Sequence, residues 1–521
     1  MISAIFRILA ATLALLLVAQ PARAEWHKAE SDNFVIYSDS NARDLQEFAE
    51  RLERYHVAMT RLTGFTPPVP SPSNRVTVYT VGSDRTLKKL YGNTQSNVAG
   101  FYIPRAGGSV AFAPDVRLGG FETDFSMIVL LHEYAHHFTL ASRSYALPRW
   151  ITEGSAEFFA AVRFAPDGGL DIGLPANHRV RELNIPGKLS IREILDYDRI
   201  AQPGSLRRDG FYGRAWLLFH YVMFDERRLA QYRDYSIRFM RGEPSLQAAE
   251  AAFGDLDELE RDLRAYQRNR RLPALRYNAP QLPIGRIDVA PSSPGMDAMM
   301  DVVLQSRRGV NREKALELLP EARAIAARFP DDPGVQAALA EAEYDAGNDA
   351  EAIAAADRAL ARDPQQKNAY VQKGFALFRR AREAGGEARD AAYAAAMQPF
   401  EALNALEPDH PMPLIYYFRS FTERRQVPDE NARAALERAS QLAPFDQELR
   451  LNVAMMMIAE RKNALAAQVL APLAADPHGS GRSTRAKQLI ALLGRTPDGQ
   501  ALDISAVREN AETPDASAEG G

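Results

Sequence analysis

The chain has 521 residues, 46% of them hydrophobic and 25% charged, with a formal net charge of −4. That length allows two to four globular domains with ample core, and the mild acidic balance argues against a nucleic-acid partner. The absence of cysteine excludes disulfides, a lipid-modified N-terminal cysteine and thiolate chemistry, so any metal must be held by histidine and carboxylate.

Residues 1–24 read as a cleavable secretory signal. Arg7 precedes the apolar run Ile8 to Val18, and Ala22-Arg23-Ala24 is a small-residue exit site. The competing reading is an uncleaved anchor, but the run is short for a membrane span. A periplasmic or secreted protein starting near Glu25 is expected. No later apolar run is long enough for a stable membrane anchor.

Asn33 to Ser38 alternates like a strand. Asn41 to Thr63 carries apolar residues at helical spacing and ends at Gly64. Pro67, Pro68, Pro70 and Pro72 form a stiff connector to a strand at 75–81. A short helix over 84–91 is followed by two strands, 99–103 and 109–113, around Gly107-Gly108. An uninterrupted helix is predicted over Phe125 to Ser142, with Thr123 and Asp124 offering N-cap oxygens. It contains His132-Glu133-Tyr134-Ala135-His136. Residues four apart share a helix face, so His132 and His136 can hold one metal, leaving Glu133 beside the open position as a base. A second helix after Pro148 places Glu153 seventeen residues beyond His136. Two histidines and a glutamate form the catalytic zinc set of the thermolysin kind. Glu157, one turn further, is placed to accept the free ring N–H of a zinc histidine.

His-Glu-x-x-His followed by Trp150-Ile151-Thr152-Glu153-Gly154-Ser155-Ala156-Glu157 resembles the gluzincin metallopeptidases, in particular the bacterial peptidase-MA-like proteins, over roughly residues 25–275. The resemblance implies zinc ligands His132, His136 and Glu153, with Glu133 as catalytic base. Thermolysin-like enzymes usually have Asp at the position of Glu157. The resemblance also implies an α+β zincin-like domain with a small N-terminal sheet. The strand before the metal helix, here Ser109 to Ala113, would be either an open edge for substrate backbone or a plain sheet strand. The Gly-Ala-Met-Glu-Asn run of the related aminopeptidases is replaced by Gly107-Gly108-Ser109-Val110-Ala111-Phe112, which favours an endopeptidase. A Tyr or His on a later helix would stabilise the oxyanion. Tyr212 fits that place, with His220 and Tyr221 as rivals. His137 and His220 read better as packed histidines.

Five prolines between Leu272 and Pro294 mark a domain boundary, with 273–296 as linker. Beyond it the chain is alanine-rich, and Pro330, Pro364, Pro408, Pro444 and Pro477 recur at gaps of 34, 44, 36 and 33 residues. The first gap is the tetratricopeptide period, so 297–495 reads as an all-α tetratricopeptide-like solenoid. The long gap holds Gly385-Gly386, read as a loop insertion. The array serves either as a cover for the catalytic half or as a surface for a protein partner. Residues 496–521 are acidic, lack aromatics and read as a disordered tail. The expected activity is zinc-dependent hydrolysis of a peptide or protein substrate. The alternatives are a periplasmic scaffold with a structural or vestigial zinc site, and a hydrolase of non-peptide amides.

Overall fold

The computed structural model describes residues 25–94, 98–114, 123–142, 145–184, 189–196, 210–476, 481–503 and 507. The expected signal, 1–24, and the far tail lie outside the described residues.

The N-terminal half opens with strands β1 (His27–Glu30) and β2 (Phe34–Ser38) and helix α1 (Ala42–Thr63). Asn41 caps α1 by accepting from the Asp44 amide, and Gly64 ends it with φ +69°, where a side chain would be strained. The buried stripe Leu45, Phe48, Leu52, Tyr55 and Met59 is the periodicity visible in the sequence. Strand β3 (Val76–Thr80), helix α2 (Asp84–Tyr91) and strands β4 (Phe101–Ile103) and β5 (Val110–Ala113) follow. Then come the two motif helices, α3 (Phe125–Ser142) and α4 (Arg149–Ala160), and the short strands β6 (Val162–Phe164) and β7 (Leu170–Ile172). After the short helices α5 (Val180–Leu183) and α6 (Ile191–Leu195), the half continues with α7 (Phe211–Phe224), α8 (Glu226–Met240), α9 (Ser245–Phe253) and α10 (Leu256–Gln267).

The segment expected to be a linker instead supplies two strands, β8 (Leu275–Tyr277) and β9 (Asp288–Pro291). β8 extends a three-stranded sheet in the order β6-β7-β8. β9 pairs with β1 at one end of a six-stranded sheet in the order β4-β5-β3-β2-β1-β9. Its only proline, Pro291, is its last residue on an outer strand, where a missing N–H is tolerated. The order also corrects the substrate-edge reading of 109–113. β5 is hydrogen-bonded to β3 on one side and β4 on the other, so β4 is the outer strand.

The C-terminal half is an all-α array of eleven helices among the described residues. They are α11 (Pro294–Arg308), α12 (Arg312–Arg328), α13 (Pro333–Ala346), α14 (Asp349–Arg362), α15 (Lys367–Glu383), α16 (Ala388–Leu406), α17 (Pro411–Glu423), α18 (Glu430–Leu442), α19 (Gln447–Ala459), α20 (Asn463–Ala474) and α21 (Gly481–Leu493). Pro330, Pro364, Pro408 and Pro444 fall in the loops between successive hairpins, as the spacing predicts. The 44-residue gap is not a loop insertion: α15 and α16 run to 17 and 19 residues, against 14 for α13 and α14. The start of the expected disordered tail is docked. The buried Asn463 side chain reaches the carbonyls of Thr496, Pro497 and Gln500 at 3.0–3.2 Å, and Val507 is buried.

The two halves share a core. Tyr79, Val110 and Phe112 of the sheet pack with Met300 and Leu304 of α11. The first helices of successive hairpins, α11 to α19, turn toward the sheet across a polar cavity of about 940 Å³. The β4–β5 hairpin reaches into that side of the array. The Ala106 amide donates to Asp446 Oδ2 at 2.7 Å, while Asp446 Oδ1 caps α19 at the Leu449 amide. Ser73 adds two hydrogen bonds to Glu407, and Asn74 donates to the Leu442 carbonyl.

Candidate metal centre

Helix α3 is apolar on nearly every face, burying Met127, Leu130, Leu131, Tyr134, Ala135 and Phe138. Of the two expected caps, Asp124 accepts from the Ser126 amide, whereas Thr123 donates to the Val162 carbonyl. Core packing therefore fixes the rotation of α3, and with it His132 and His136. Helix α4 is anchored by Trp150, fully buried, whose Nε1 donates to Tyr235 at 3.0 Å. A side chain at Gly154 would meet the Ala215 carbonyl oxygen at 2.5 Å. Only glycine lets α4 lie this close to α7, and the adjacent Glu153 is thereby driven toward α3.

The three expected ligands converge. His132 Nε2 and His136 Nε2 stand 3.0 Å apart, and Glu153 Oε2 lies 3.4 Å and 3.5 Å from them. Ligand atoms about 2.0–2.1 Å from a tetrahedral zinc stand roughly 3.3 Å apart, so this spacing suits that ion. Glu153 is completely buried, and both its carboxylate oxygens lack a hydrogen-bond partner. A buried carboxylate without hydrogen bonds is costly unless a cation sits against it. The donor set, two imidazoles and one carboxylate, fits zinc. Burial alone would lower the pKa of His132, but the Glu153 and Glu157 carboxylates beside it push it up to about 10. Contact with the two histidines holds the Glu153 carboxyl well below the usual range against the opposing effect of burial.

Glu157 lies on the far side of His132, with Oε1 3.2 Å from Nδ1. Its carboxylate also meets His178 Nε2 at 2.6 Å and Arg179 Nη2 at 2.5 Å. These partners hold its pKa far down despite burial. By engaging Nδ1, Glu157 keeps the Nε2 edge of the ring aimed at Glu153 and His136. Replacing Glu157 with Gln is expected to leave the fold intact and weaken zinc binding 10–100-fold, read by competition with a chelator.

His178 and Arg179 are site residues that sequence reasoning missed. They sit in a single helical turn at Asn177–Arg179, and no spacing connects them to the motifs. Arg179 also binds Glu182 Oε1 at 2.9 Å, and Glu182 Oε2 accepts from the Gly213 amide at 2.7 Å. This chain of contacts fixes the first turn of α7, which carries Tyr212. The Tyr212 ring centroid is 6.4 Å from that of His132, under the Arg179 guanidinium at 4.8 Å. Burial, then the Glu153 charge, raises the Tyr212 pKa, so its hydroxyl keeps its proton.

The rival residues lie elsewhere. His220 is fully buried, bonded to the Tyr266 hydroxyl at 2.8 Å and the Gly173 carbonyl at 2.9 Å. Tyr221 packs on Tyr266. His137 bonds the Tyr102 hydroxyl at 2.6 Å and lies against Phe445 of the array, its ring centroid 4.5 Å away. Burial pushes its pKa down to about 3.

Glu133 faces a cleft of about 600 Å³ together with His136 and Thr152. Among the described residues no cation pairs with the Glu133 carboxylate. One wall of the cleft is the outer strand β4 with its flanks, Gly100 to Pro104. The opposite wall belongs to the array and includes Pro444, Phe445, Arg450 and Leu473.

A family profile described as a protein of unknown function, DUF1570, matches residues 129–238, from within α3 to within α8. Comparison with curated proteins found no match. Among solved structures, the chain is similar to TTC0263, described as a thermophilic TPR protein in Thermus thermophilus, at 17% identity and a TM-score of 0.33, covering 38% of this chain and 100% of that one. It is also similar to a MamA RS-1 ArsTM double mutant, at 16% identity and a TM-score of 0.27, covering 40% of this chain and 99% of that one.

Proposed function

We propose that this chain is an exported zinc peptidase of gluzincin type, acting as an endopeptidase in the periplasm or outside the cell. The observation that carries the reading is Glu153: a buried carboxylate without hydrogen bonds, facing two histidine Nε2 atoms, directly beside a cleft that Glu133 borders. His132, His136 and Glu153 would hold zinc, which when bound supplies Lewis-acid polarisation and makes a water acidic near neutral pH. Glu133 takes the proton of the attacking water and returns it to the departing amine. Tyr212 donates its hydroxyl proton in a hydrogen bond to the oxygen that becomes negative at the former carbonyl. Glu157, His178 and Arg179 keep His132 and Tyr212 in place. A cleft bounded by an outer strand suits an extended chain whose backbone pairs with β4. Export rests on the 1–24 sequence pattern.

Glu133 separates this reading from the scaffold alternative, because binding a metal does not require it. The test is zinc content measured beside cleavage of a mixed peptide library by the full chain without residues 1–24. About one zinc per chain and cleavage at internal bonds are expected. Bound zinc with no peptide cut would turn the reading toward a scaffold or a non-peptide amide hydrolase. Tyr212→Phe is expected to retain zinc and lower kcat roughly 10²-fold. An unchanged kcat would remove Tyr212 from the site.

A further inference from the structure

The cleft wall contributed by the array is mostly apolar, yet it contains a buried cation. Arg450, in the first turns of α19, is 8% exposed. Its Nη2 donates to the Pro444 carbonyl at 2.6 Å, and its Nη1 donates, at the longer distance of 3.4 Å, to the Val469 carbonyl. Those two acceptors satisfy N–H groups but carry no charge. Among the described residues no carboxylate forms an ion pair with Arg450. Burial without a neighbouring acid draws its pKa below the ordinary guanidinium value. A guanidinium has five donors and stays charged, so burying it unpaired is costly.

The other charges on the cleft are differently employed. Asp476 accepts from Gln447 at 2.9 Å, and Arg308 donates to the Tyr91 carbonyl at 2.6 Å from an exposed position. Glu133 and His136 belong to the opposite wall. A cleft of about 600 Å³ spans on the order of 10 Å, room for roughly three extended residues.

We propose that Arg450 receives a carboxylate of the substrate, so that the cleft selects peptides with an acidic side chain or a free C-terminus within about three residues of the cut bond. The array would thereby act as a specificity wall of the site as well as a cover. This rests on the peptidase reading for the bond that is cut, but not for the binding itself. A carboxylate entering this apolar wall meets an uncompensated guanidinium, and charge-assisted pairs of that kind are the stronger hydrogen bonds.

The experiment uses zinc-loaded full chain lacking residues 1–24 and pairs of fluorogenic peptides. The members of each pair differ only by Glu against Gln at one position, or by a free against an amidated C-terminus, which distinguishes the two carboxylate sources. Wild type is expected to favour the acidic member of one set by at least about 10-fold in kcat/KM. Arg450→Gln should bring that ratio to about one. Arg450→Lys should keep part of it, and Arg308→Gln should leave it unchanged. Melting temperature and zinc content are recorded for each variant. Calorimetric binding of the same pairs to Glu133→Gln, which should cut them far more slowly, should give the same ratio in Kd.

Equal cutting of both members by wild type overturns the proposal and leaves the peptidase reading standing. A preference that survives Arg450→Gln, or is lost in Arg308→Gln, also overturns it. If nothing is cut but acidic peptides bind better and Arg450→Gln abolishes the difference, the binding role of Arg450 stands and the peptidase reading falls. Should Arg450→Gln fail to fold, the wild-type, Arg450→Lys and Arg308→Gln ratios decide the matter on the same terms.

Discussion

Glu133→Gln should bind about one zinc per chain and turn over at least 10²- to 10⁴-fold more slowly than wild type, the usual loss on removing a general base. Glutamine preserves the side-chain volume at a half-buried position, so neither α3 nor the cleft needs to rearrange. Glu133 is not among the converging ligand atoms, which come from His132, His136 and Glu153. Its removal should therefore leave the metal in place. Glu153→Ala is the complementary variant. It removes an atom from the convergent set and should lower zinc binding itself, with activity falling for that reason. The two variants are read by metal analysis and peptide hydrolysis on the same samples. Zinc lost from Glu133→Gln would refute its assignment as base. Zinc fully retained by Glu153→Ala would refute Glu153 as ligand.

A chain ending at Leu272 should show no cooperative thermal transition, whereas one extended to Arg308 should recover it. The shorter chain lacks β8 and β9, which pair with β7 and β1. It also lacks Leu282, Met300 and Leu304, all buried against the N-terminal half. Burying each such side chain contributes roughly 1.5–3 kcal/mol. Against a total stability of about 5–15 kcal/mol, three such losses, together with the two lost strands, are decisive. Circular dichroism on heating measures the outcome. A cooperative melt from the 25–272 chain would restore the boundary that the prolines suggest.

The parts of the site that were legible in the sequence are those governed by helix geometry. His132 and His136 lie one turn apart, and so do Glu153 and Glu157, so their relative positions follow from local spacing. What the sequence does not carry is how separate elements meet. His178 and Arg179 reach Glu157 from a segment without periodicity. The prolines at 273–294 mark chain ends and turns correctly but conceal two strands of three and four residues. Such strands are too short for alternation to register. The order of the sheet was likewise invisible, because the hairpin around Gly107-Gly108 fixes the pairing of β4 with β5 but not which of them is outermost. The repeat period in the prolines was legible, yet nothing in it indicates that the first helices of the hairpins face the N-terminal half.

The hydrogen bond from Ala106 to Asp446 joins residues 340 positions apart, and the one from Asn74 to Leu442 spans 368. A chain is made from its N-terminus, so these contacts form only after Asp446 and Leu442 have been added. His132, His136 and Glu153 are synthesised some three hundred residues before Arg450 and Phe445. Such long-range closure makes folding slow. It also acts as a timer: a partly made chain can already present His132, His136 and Glu153, but the second wall of its cleft arrives only with residues 444–473.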